Sequence, residues 1–499
     1  MDKIFVNQFP LTTENRPITR NPYEIHDILY LIISLDFQCI WHYFNPMPYS
    51  QIKKPLVLLL ALVLTWTLST QPVQANAVNK SAVVLLVAKD SAGKMLGMGT
   101  GFIVKPEGVL VTNYHVLLDA ADITAVMSSG DRVKVKSVLK VDREKDFALL
   151  QLTEGAYSTL EIGDSDQLKE FDYLSALGFL SQNALQANGQ SNGKGMVIQT
   201  FGFILGIHPQ AQTDFPFIYT TASFGPGFSG GPVVNQKSRV VGIATVEGRS
   251  INLALPINFI KPFLDSKDEM SLADLLKADK NSKEAHYYRG NYYLYVQGDP
   301  DKAVKEFESV LKQDDSFVLA HYDLAAAYQS QGQADRAIRE YERANALNPA
   351  FPEGSSNLGG YYFRQQKYEQ AVKLFEQALK AYPNFIQAHS NLGAVLNKLN
   401  RSSEAVPHLE KAIQLDPGFG IAYFNLGNAH INLDNLDEAR KAYDMAVEKG
   451  IDFLSLHWNL HKIHSRQGRS VDAKRELEII LQIDPQNPDA QKKLKELSR

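Results

Sequence analysis

The stretch FGPGFSGGPVVN, residues 224–235, decides between the folds open to this chain. Glycine and proline surround one serine, Ser229, and an apolar run follows at once. Two interpretations are possible. The stretch is either a tight turn between two strands or a turn that presents Ser229 as a nucleophile, because glycine permits backbone conformations that other residues rarely adopt.

Short β-type runs flank that stretch on both sides. From about residue 80 to residue 265 they are rich in β-branched and aromatic residues and are broken by Gly, Pro, Asn and Asp. The runs include SAVVLLVA, GTGFIV, VLVTNYHV, RVKVKSVLKV, FALLQL, FIYTTA and RVVGIATV. Many short strands at close spacing predict an all-β sandwich or barrel.

A histidine and an aspartate in this region complete a candidate triad. His115 lies in TNYHV and Asp146 in DREKDFALLQL, both before Ser229. A serine hydroxyl must lose its proton as it attacks, an imidazole can take that proton, and a carboxylate can hold the imidazole in the required tautomer. Asp142 is a nearby alternative, but Asp146 directly precedes the apolar run. Each residue alone is also compatible with a purely structural role.

The turn itself offers donors for the negative charge that develops on a substrate oxygen. Gly227 stands two residues before the serine, and its lack of a Cβ lets its N–H turn toward that oxygen. The N–H of Ser229 is the second candidate donor, so the two would form an oxyanion hole.

These motifs resemble the trypsin-like serine peptidases and, within them, the HtrA-like periplasmic group. The resemblance covers roughly residues 80–265. It rests on GTGFIV, VTNYHV, KDFALLQL, IGDSDQL, GPGFSGGPVVN, VVGIAT and ALPINFI, in the family's order. It implies two six-stranded barrels of the chymotrypsin type. His115 as general base and Asp146 as its orienting partner would come from the first barrel, and Ser229 as nucleophile from the second.

The resemblance also implies features around the site. Ser223 occupies the offset that sets the floor of the primary specificity pocket, and a serine there predicts cleavage after small or medium apolar residues. Residues 181–215, rich in Gly, Asn and Gln, fall where the family has activation and specificity loops. The PDZ domain usual in HtrA proteases is not visible, so regulation by a PDZ ligand is not expected.

An internal repeat replaces it. Phenylalanine occurs at 317, 351, 385, 419 and 453, in steps of 34 residues. Leu-Gly pairs begin at 358, 392 and 426, alanines recur at 337, 371, 405 and 439, and prolines close units at 349, 383, 417 and 485. This is the tetratricopeptide pattern, which predicts an all-α superhelix of stacked helix pairs with a concave binding surface for a protein partner.

One register of the first helices of these pairs is basic or polar. It holds Arg364, Lys398, Asn432 and Arg466, again in steps of 34 residues. These residues are expected to share a face. That face is either an ordinary solvated surface or a weakly basic groove for acidic peptide segments or a C-terminal carboxylate.

The N-terminus carries a targeting signal. Lys53 and Lys54 precede an apolar run, 56–66, and the small-residue site Ala75-Asn76-Ala77 follows. These features predict a secretory signal peptide cleaved after Ala77, with an uncleaved anchor as the alternative. Met47 precedes the lysines, so residues 1–46 are interpreted as the product of a start codon assigned too early. Cleavage would remove Cys39, the only cysteine, and a cysteine-free chain suits an oxidising compartment such as a bacterial periplasm.

Composition narrows the function further. The chain of 499 residues is 44% hydrophobic with a formal charge of −4, which favours neither a nucleic acid nor an anionic membrane as partner. No zinc-ligand cluster, phosphate loop or dinucleotide motif occurs, and serine chemistry needs no metal or cofactor. The expected segments are an extension at 1–46, a signal peptide at 47–77, a peptidase domain at 78–265, a linker at 266–282, six repeats at 283–486 and a capping helix at 487–499.

Two functions remain after this reading. The first is a secreted or periplasmic serine endopeptidase whose repeats recruit protein substrates or partners. The second is a non-catalytic scaffold or assembly protein with a degenerate protease-like barrel. The three candidate triad residues favour the first.

Overall fold

A computed structural model places the β region and the helical region of the chain. It describes residues 78–179, 196–209, 213–225, 227–245 and 252–497. The predicted extension and signal peptide, 1–46 and 47–77, lie outside these residues.

The first six strands form a closed antiparallel barrel. Neighbours follow the order β1-β2-β3-β6-β5-β4, and β4 pairs with β1 to close it. The strands are β1 Val83–Lys89, β2 Met95–Lys105, β3 Val109–Thr112, β4 Asp122–Val126, β5 Arg132–Asp142 and β6 Phe147–Leu152.

The next six strands form a second closed barrel of the same kind. Its order is β10-β11-β12-β9-β8-β7, with β10 paired to β7. The strands are β7 Tyr173–Phe179, β8 Val197–Pro209, β9 Pro216–Thr220, β10 Pro232–Asn235, β11 Val240–Thr245 and β12 Asn252–Pro256. The predicted double barrel is confirmed.

Strand β3 shows why central strands here read as continuous apolar runs. All four of its residues are buried. Successive side chains point to opposite faces. Leu110 joins a core that continues into the first helical repeats. Val109 and Val111 join a different core, shared with the second barrel.

The interpretation of 181–215 as loops is wrong for part of that stretch. Residues 197–209 form strand β8, which pairs with both β7 and β9. The glycines, glutamines and asparagines that suggested loops lie mainly before residue 196. The aromatic and β-branched run that follows favours an extended strand.

Helices begin inside the predicted linker and continue through residue 497. Met270 first makes a two-bond bridge to Val138 of the first barrel, at 2.8 and 2.9 Å, so the linker packs on that barrel. The helices are α1 Leu272–Asp279, α2 Lys283–Asn291, α3 Pro300–Gln313, α4 Val318–Ser330, α5 Ala334–Leu347, α6 Pro352–Arg364, α7 Tyr368–Ala381, α8 Ile386–Lys398, α9 Ser402–Leu415, α10 Gly420–Asn432, α11 Leu436–Glu448, α12 Leu454–Arg466, α13 Ser470–Ile483 and α14 Pro488–Leu497. A π-helical turn, Tyr292–Gln297, extends α2.

The repeated glycines and alanines let paired helices approach closely. A Cβ added at Gly393 would lie 2.4 Å from Cγ of Leu409, and one at Gly427 would lie 2.5 Å from the Tyr443 ring. The predicted crossing-site alanines at 337, 371, 405 and 439 are fully buried. The period of 34 residues therefore reflects one packing contact made again in each helix pair.

The helical array contacts both barrels. Helix α2 packs on the first barrel, where Arg289 forms a bidentate ion pair with Asp119 at 2.9 Å for each bond. Further along the array, Asn384 Nδ2 donates to the carbonyl of Leu205 in β8 at 3.0 Å.

Candidate active site

The Ser229 turn joins strand β9 to strand β10 and depends on its glycines. Gly227 has φ +104° and Gly230 has φ +83°, both in the region that favours glycine. A Cβ at Gly230 would lie 2.3 Å from the carbonyl oxygen of Thr100 and 2.2 Å from the Thr112 hydroxyl. The turn is therefore pressed against the first barrel, so that only glycine fits at this point.

Thr100, in strand β2, holds the turn from the other side. Its backbone N–H donates to the carbonyl of Ser229 at 2.8 Å, and its hydroxyl donates to the carbonyl of Gly227 at 2.6 Å. The same hydroxyl accepts the N–H of Phe179 at 3.0 Å. One threonine of the first barrel thus positions the serine turn that the second barrel carries.

A buried phenylalanine anchors the turn from within. Phe228, directly before the serine, is 1% exposed and its ring stacks on Phe224 at 6.4 Å between centroids. Its N–H donates to the carbonyl of Gly225 at 2.9 Å. Apolar packing and this hydrogen bond hold the backbone around Ser229 without any charged partner for Phe228.

The two predicted oxyanion-hole donors are left open. Within the ranges that the structure describes, neither the N–H of Gly227 nor that of Ser229 has a protein acceptor. Ser229 itself is 8% exposed. Open, nearly buried N–H groups beside a serine can bind a developing oxyanion.

His115 and Asp146 form a close pair. His115 lies in the short helical turn Tyr114–Leu117 that follows β3. Its Nδ1 lies 2.7 Å from Oδ2 of Asp146, and its backbone N–H donates to Oδ1 at 2.9 Å. The carboxylate therefore holds both the ring and the backbone of the histidine. Such a carboxylate fixes the ring and favours the proton on Nδ1, which leaves Nε2 as the basic nitrogen.

The backbone of Asp146 is itself constrained. The residue is 3% exposed and has φ +55°, and its carbonyl accepts a hydrogen bond from Asn113 Nδ2 at 2.7 Å. The alternative carboxylate, Asp142, accepts the N–H of Lys145 at 2.9 Å and an ion pair from the same lysine at 3.4 Å. Of the two aspartates, Asp146 is the one that contacts His115.

Ser229 lies near this pair without a formed third link. Gly99 has both the Val116 side chain and the Ser229 carbonyl beside its α-carbon, so the histidine and serine segments flank the same glycine. Among described residues, the Ser229 hydroxyl makes no hydrogen bond. Catalytic hydrogen bonds are often long before substrate binds and tighten in the complex.

A helical-repeat residue also reaches this site, and the sequence analysis missed it. The ring of Tyr288, in helix α2, stacks on the His115 imidazole with centroids 5.8 Å apart and planes inclined by 29°. Tyr288 is 8% exposed, and its hydroxyl donates to the carbonyl of Arg143 at 3.2 Å. No local motif could have revealed this contact, because it depends on how the first repeat packs on the barrel.

The remaining predicted site residues are accessible. Ser223 is exposed between buried Ala222 and Phe224. In the repeats, the four register residues are exposed and each is the last residue of its helix; they are Arg364, Lys398, Asn432 and Arg466.

Several of these register residues already have partners along the array. The guanidinium of Arg466 pairs with Asp434 at 2.8 Å. Asn432 Nδ2 donates to the Ser402 hydroxyl at 2.9 Å. These contacts are compatible with a solvated face as well as with a binding edge.

Family comparisons agree with this architecture. Residues 99–243 match the family model of the trypsin-like peptidase domain. Tetratricopeptide-repeat models match residues 353–417, and residues 294–357 and 400–462. The chain joins a trypsin-like peptidase domain to tetratricopeptide repeats. The predicted resemblance and its order along the chain are confirmed.

Curated relatives match the peptidase region at modest identity. Serine protease HTRA4 of Mus musculus is 34% identical over 178 residues, which cover 35% of each chain. A probable periplasmic serine endoprotease, DegP-like, of Marinomonas sp. (strain MWYL1) is 30% identical over 194 residues, or 38% of each chain. The matches thus span little more than a third of the length of these relatives.

Among solved structures, the HtrA-type protease AlgW with a tripeptide matches 38% of this chain and 60% of its own, with 24% identity and a TM-score of 0.32. Across the part of the chain that is described, no helix is both long and apolar enough to span a membrane.

Proposed function

We propose that this protein is a serine endopeptidase of the HtrA-like kind that hydrolyses peptide bonds in protein or peptide substrates. In the proposed mechanism His115 takes the proton of the Ser229 hydroxyl as Ser229 attacks the carbonyl carbon. Asp146 orients His115 and stabilises the imidazolium that forms. The N–H groups of Gly227 and Ser229 bind the oxyanion. His115 then returns the proton to the leaving amine, and water hydrolyses the acyl-enzyme.

The contact that carries the proposal is the one between His115 and Asp146. The carboxylate oxygen lies 2.7 Å from Nδ1, and the other oxygen accepts the histidine's own N–H at 2.9 Å. A structural histidine needs only one such bond, whereas a general base needs a fixed ring with Nε2 directed to the nucleophile. The open N–H groups at the serine turn support the same assignment.

Labelling with a fluorophosphonate probe tests this proposal. The probe reacts covalently with activated serines. We expect purified residues 78–499 to be labelled, and Ser229→Ala and His115→Ala to lose labelling. Labelling that persists in Ser229→Ala would refute the assignment of the nucleophile.

Ser223 supports a finer proposal on specificity. The absence of a carboxylate at this accessible position predicts cleavage after small or medium apolar residues, because a lysine or arginine side chain would lack a charged partner. Mass-spectrometric mapping of the products would decide the point, and cuts mainly after Lys or Arg would overturn it.

The repeats are proposed to recruit substrates or protein partners. The exposed register that ends helices α6 and α8, with Arg364 and Lys398, would bind acidic segments or a C-terminal carboxylate. Reversing both charges to glutamate should weaken binding of a fluorescent acidic peptide measured by anisotropy. Unchanged affinity would leave only a solvated face.

A periplasmic or secreted location is proposed from the signal peptide predicted at 47–77, and relatives of the peptidase region are named periplasmic. A non-catalytic scaffold is the second candidate. Its support is the Ser229 hydroxyl, which makes no hydrogen bond to a described residue. Lack of probe labelling in the presence of a repeat ligand would favour the scaffold.

A further inference from the structure

We propose that Tyr288, which belongs to the first helical repeat, is a positioning residue for His115, so that the peptidase site is complete only with the repeat in place. The inference rests on the proposed function for its catalytic consequence. Its structural basis is the stack between the two rings, at 5.8 Å between centroids and 29° between planes.

The stack limits the motion of the imidazole. Asp146 holds the edge of the ring through Nδ1, at 2.7 Å. One hydrogen bond at an edge still allows the ring to tilt about that bond. Tyr288 lies against a face of the ring and is 8% exposed, so it blocks tilting toward that side and keeps water from that face.

The tyrosine is held from both sides of the His115–Asp146 pair. Its hydroxyl donates to the carbonyl of Arg143, three residues before Asp146. The next residue of the helix, Arg289, pairs with Asp119, four residues after His115, through two bonds of 2.9 Å. Helix α2 therefore grips the backbone that carries each member of the pair.

The helix is anchored equally firmly in the repeats. Tyr287, beside Tyr288, donates to Oδ2 of Asp323 at 2.8 Å, and Asp323 is fully buried in helix α4. The Tyr295 hydroxyl donates to the other oxygen of the same carboxylate at 2.8 Å. The position of the Tyr288 ring thus follows the position of the second repeat.

The stack also has an electrostatic role. When His115 takes the serine proton, its ring becomes a cation, and the face of an aromatic ring within about 6 Å attracts a cation. Tyr288 is placed to stabilise that state more than the neutral one. An aliphatic side chain of similar size would fill the space without this attraction.

Three variants of the full chain test the inference. Tyr288→Leu removes the ring, Tyr288→Phe keeps the ring and loses the hydroxyl, and Tyr292→Leu is the matched control. Tyr292 follows in the π-helical turn and its hydroxyl donates to the carbonyl of Leu96, so it docks the same region on the same barrel, and no ring contact joins it to His115. Fluorophosphonate labelling is followed as a function of probe concentration, which separates the maximal rate from the concentration at half-maximal rate.

We expect Tyr288→Leu to lower the maximal rate by roughly 10- to 100-fold, the range that misplacement of a reacting group produces, with the half-maximal concentration little changed. Tyr288→Phe should remain within about threefold of wild type, because only one neutral hydrogen bond is lost. Tyr292→Leu should behave like Tyr288→Phe. Equal loss in Tyr292→Leu and Tyr288→Leu, or no loss in Tyr288→Leu, would overturn the inference.

A spectroscopic reading separates this inference from the proposed function. With ¹³Cε1-histidine labelling and His115→Ala for assignment, the His115 resonance should move in Tyr288→Leu, where the ring current is lost, and stay in Tyr288→Phe. An unlabelled wild type would refute the activated serine, and the resonance would then decide the stack alone. A His115 resonance that does not move in Tyr288→Leu would overturn the inference whatever the labelling shows.

Discussion

In the barrels each functional side chain occurs once and arrives from a different strand or turn, whereas in the repeats the same residue returns every 34 positions. His115 follows β3, Asp146 precedes β6, and Ser229 precedes β10. In the repeats, a glycine packs against the following helix at 359, 393 and 427 alike. One substitution in the barrels should therefore remove a function without a substitute, while one in the repeats should weaken a single joint of many.

The largest expected effect falls on the carboxylate of the proposed triad. Asp146→Asn keeps the shape of the side chain but favours the wrong tautomer of His115, so the labelling rate should fall by about 10⁴-fold. Urea unfolding should show a far smaller change. Asp142→Asn is the matched control and should label at nearly the wild-type rate, since that carboxylate binds Lys145. Equal loss in both variants would show that the assignment of Asp146 is incorrect.

A substitution in the serine turn should affect both stability and activity. In Gly230→Ala the new Cβ would meet the Thr100 carbonyl at 2.3 Å with φ at +83°, so the free energy of unfolding should fall by about 3 kcal/mol or more. Gly93→Ala is the control, because φ is +79° there and nothing lies within 4 Å. That variant should cost about 1 kcal/mol from backbone strain alone. Equal losses, measured by urea unfolding, would show that the close approach to the first barrel is unimportant.

In the repeats the comparable substitution should cost stability only. Gly393→Ala improves helix propensity but places a Cβ 2.4 Å from Cγ of Leu409, so a net loss of about 1–2 kcal/mol is expected. The labelling rate of the folded protein should not change. Glu410→Ala, at an exposed position of the facing helix α9, should stay within about 0.5 kcal/mol of wild type. A fall in labelling rate for Gly393→Ala would show that the array and the site are coupled across several repeats.

The smallest expected effects come from two histidines at equivalent places in the array. Burial lowers the pKa of His389 from 6.5 to about 4, and His408, whose Nδ1 lies 3.1 Å away, adds to the shift. For His457, burial acts in the same direction, but carboxylates of Glu476 and Asp452 at 2.7 Å outweigh it and raise the pKa. One repeat thus favours a neutral histidine and another a charged one.

The two histidines should therefore act oppositely on stability. The unfolded chain takes up a proton at His389 before the folded chain does, so stability is lost as the pH falls from 6.5 toward 4. For His457 the stabilisation is present at low pH and is lost as the pH rises through its raised pKa. His389→Gln should reduce the loss between pH 7 and pH 5 by about 1–2 kcal/mol, and His457→Gln should enlarge it, as measured by urea unfolding. Identical pH dependence in both variants would contradict this assignment.

The two regions also differ in how far sequence alone predicts them. The repeat period announces each helix pair, because one packing contact selects the same residue types again and again. In the barrels, the order of His115, Asp146 and Ser229 predicted the fold, and the adjacency of Asp146 to an apolar strand pointed to the carboxylate that contacts His115. Strand β8 escaped notice because the composition of the preceding residues dominated the reading of that stretch.

Contacts between regions were not predictable in the same way. The hydroxyl of Thr100 binds the carbonyl of Gly227 across the two barrels, and Tyr288 meets His115 across the peptidase domain and the repeats. Each depends on the docking of segments far apart in the chain, for which no local pattern exists. Residues of this kind are found only when the tertiary structure is known.

Helix α2 leaves the protein without a clean seam between its two halves. A chimera that took its repeats from α2 onward would carry Tyr288 away and uncover His115. A chimera cut after the π-helical turn, at Gly298, would leave Gly290 without the Phe307 ring that packs against it and Tyr287 without Asp323. Shuffling this repeat array among peptidases would therefore succeed only where the exchanged segment and the barrel surface around His115 travel together.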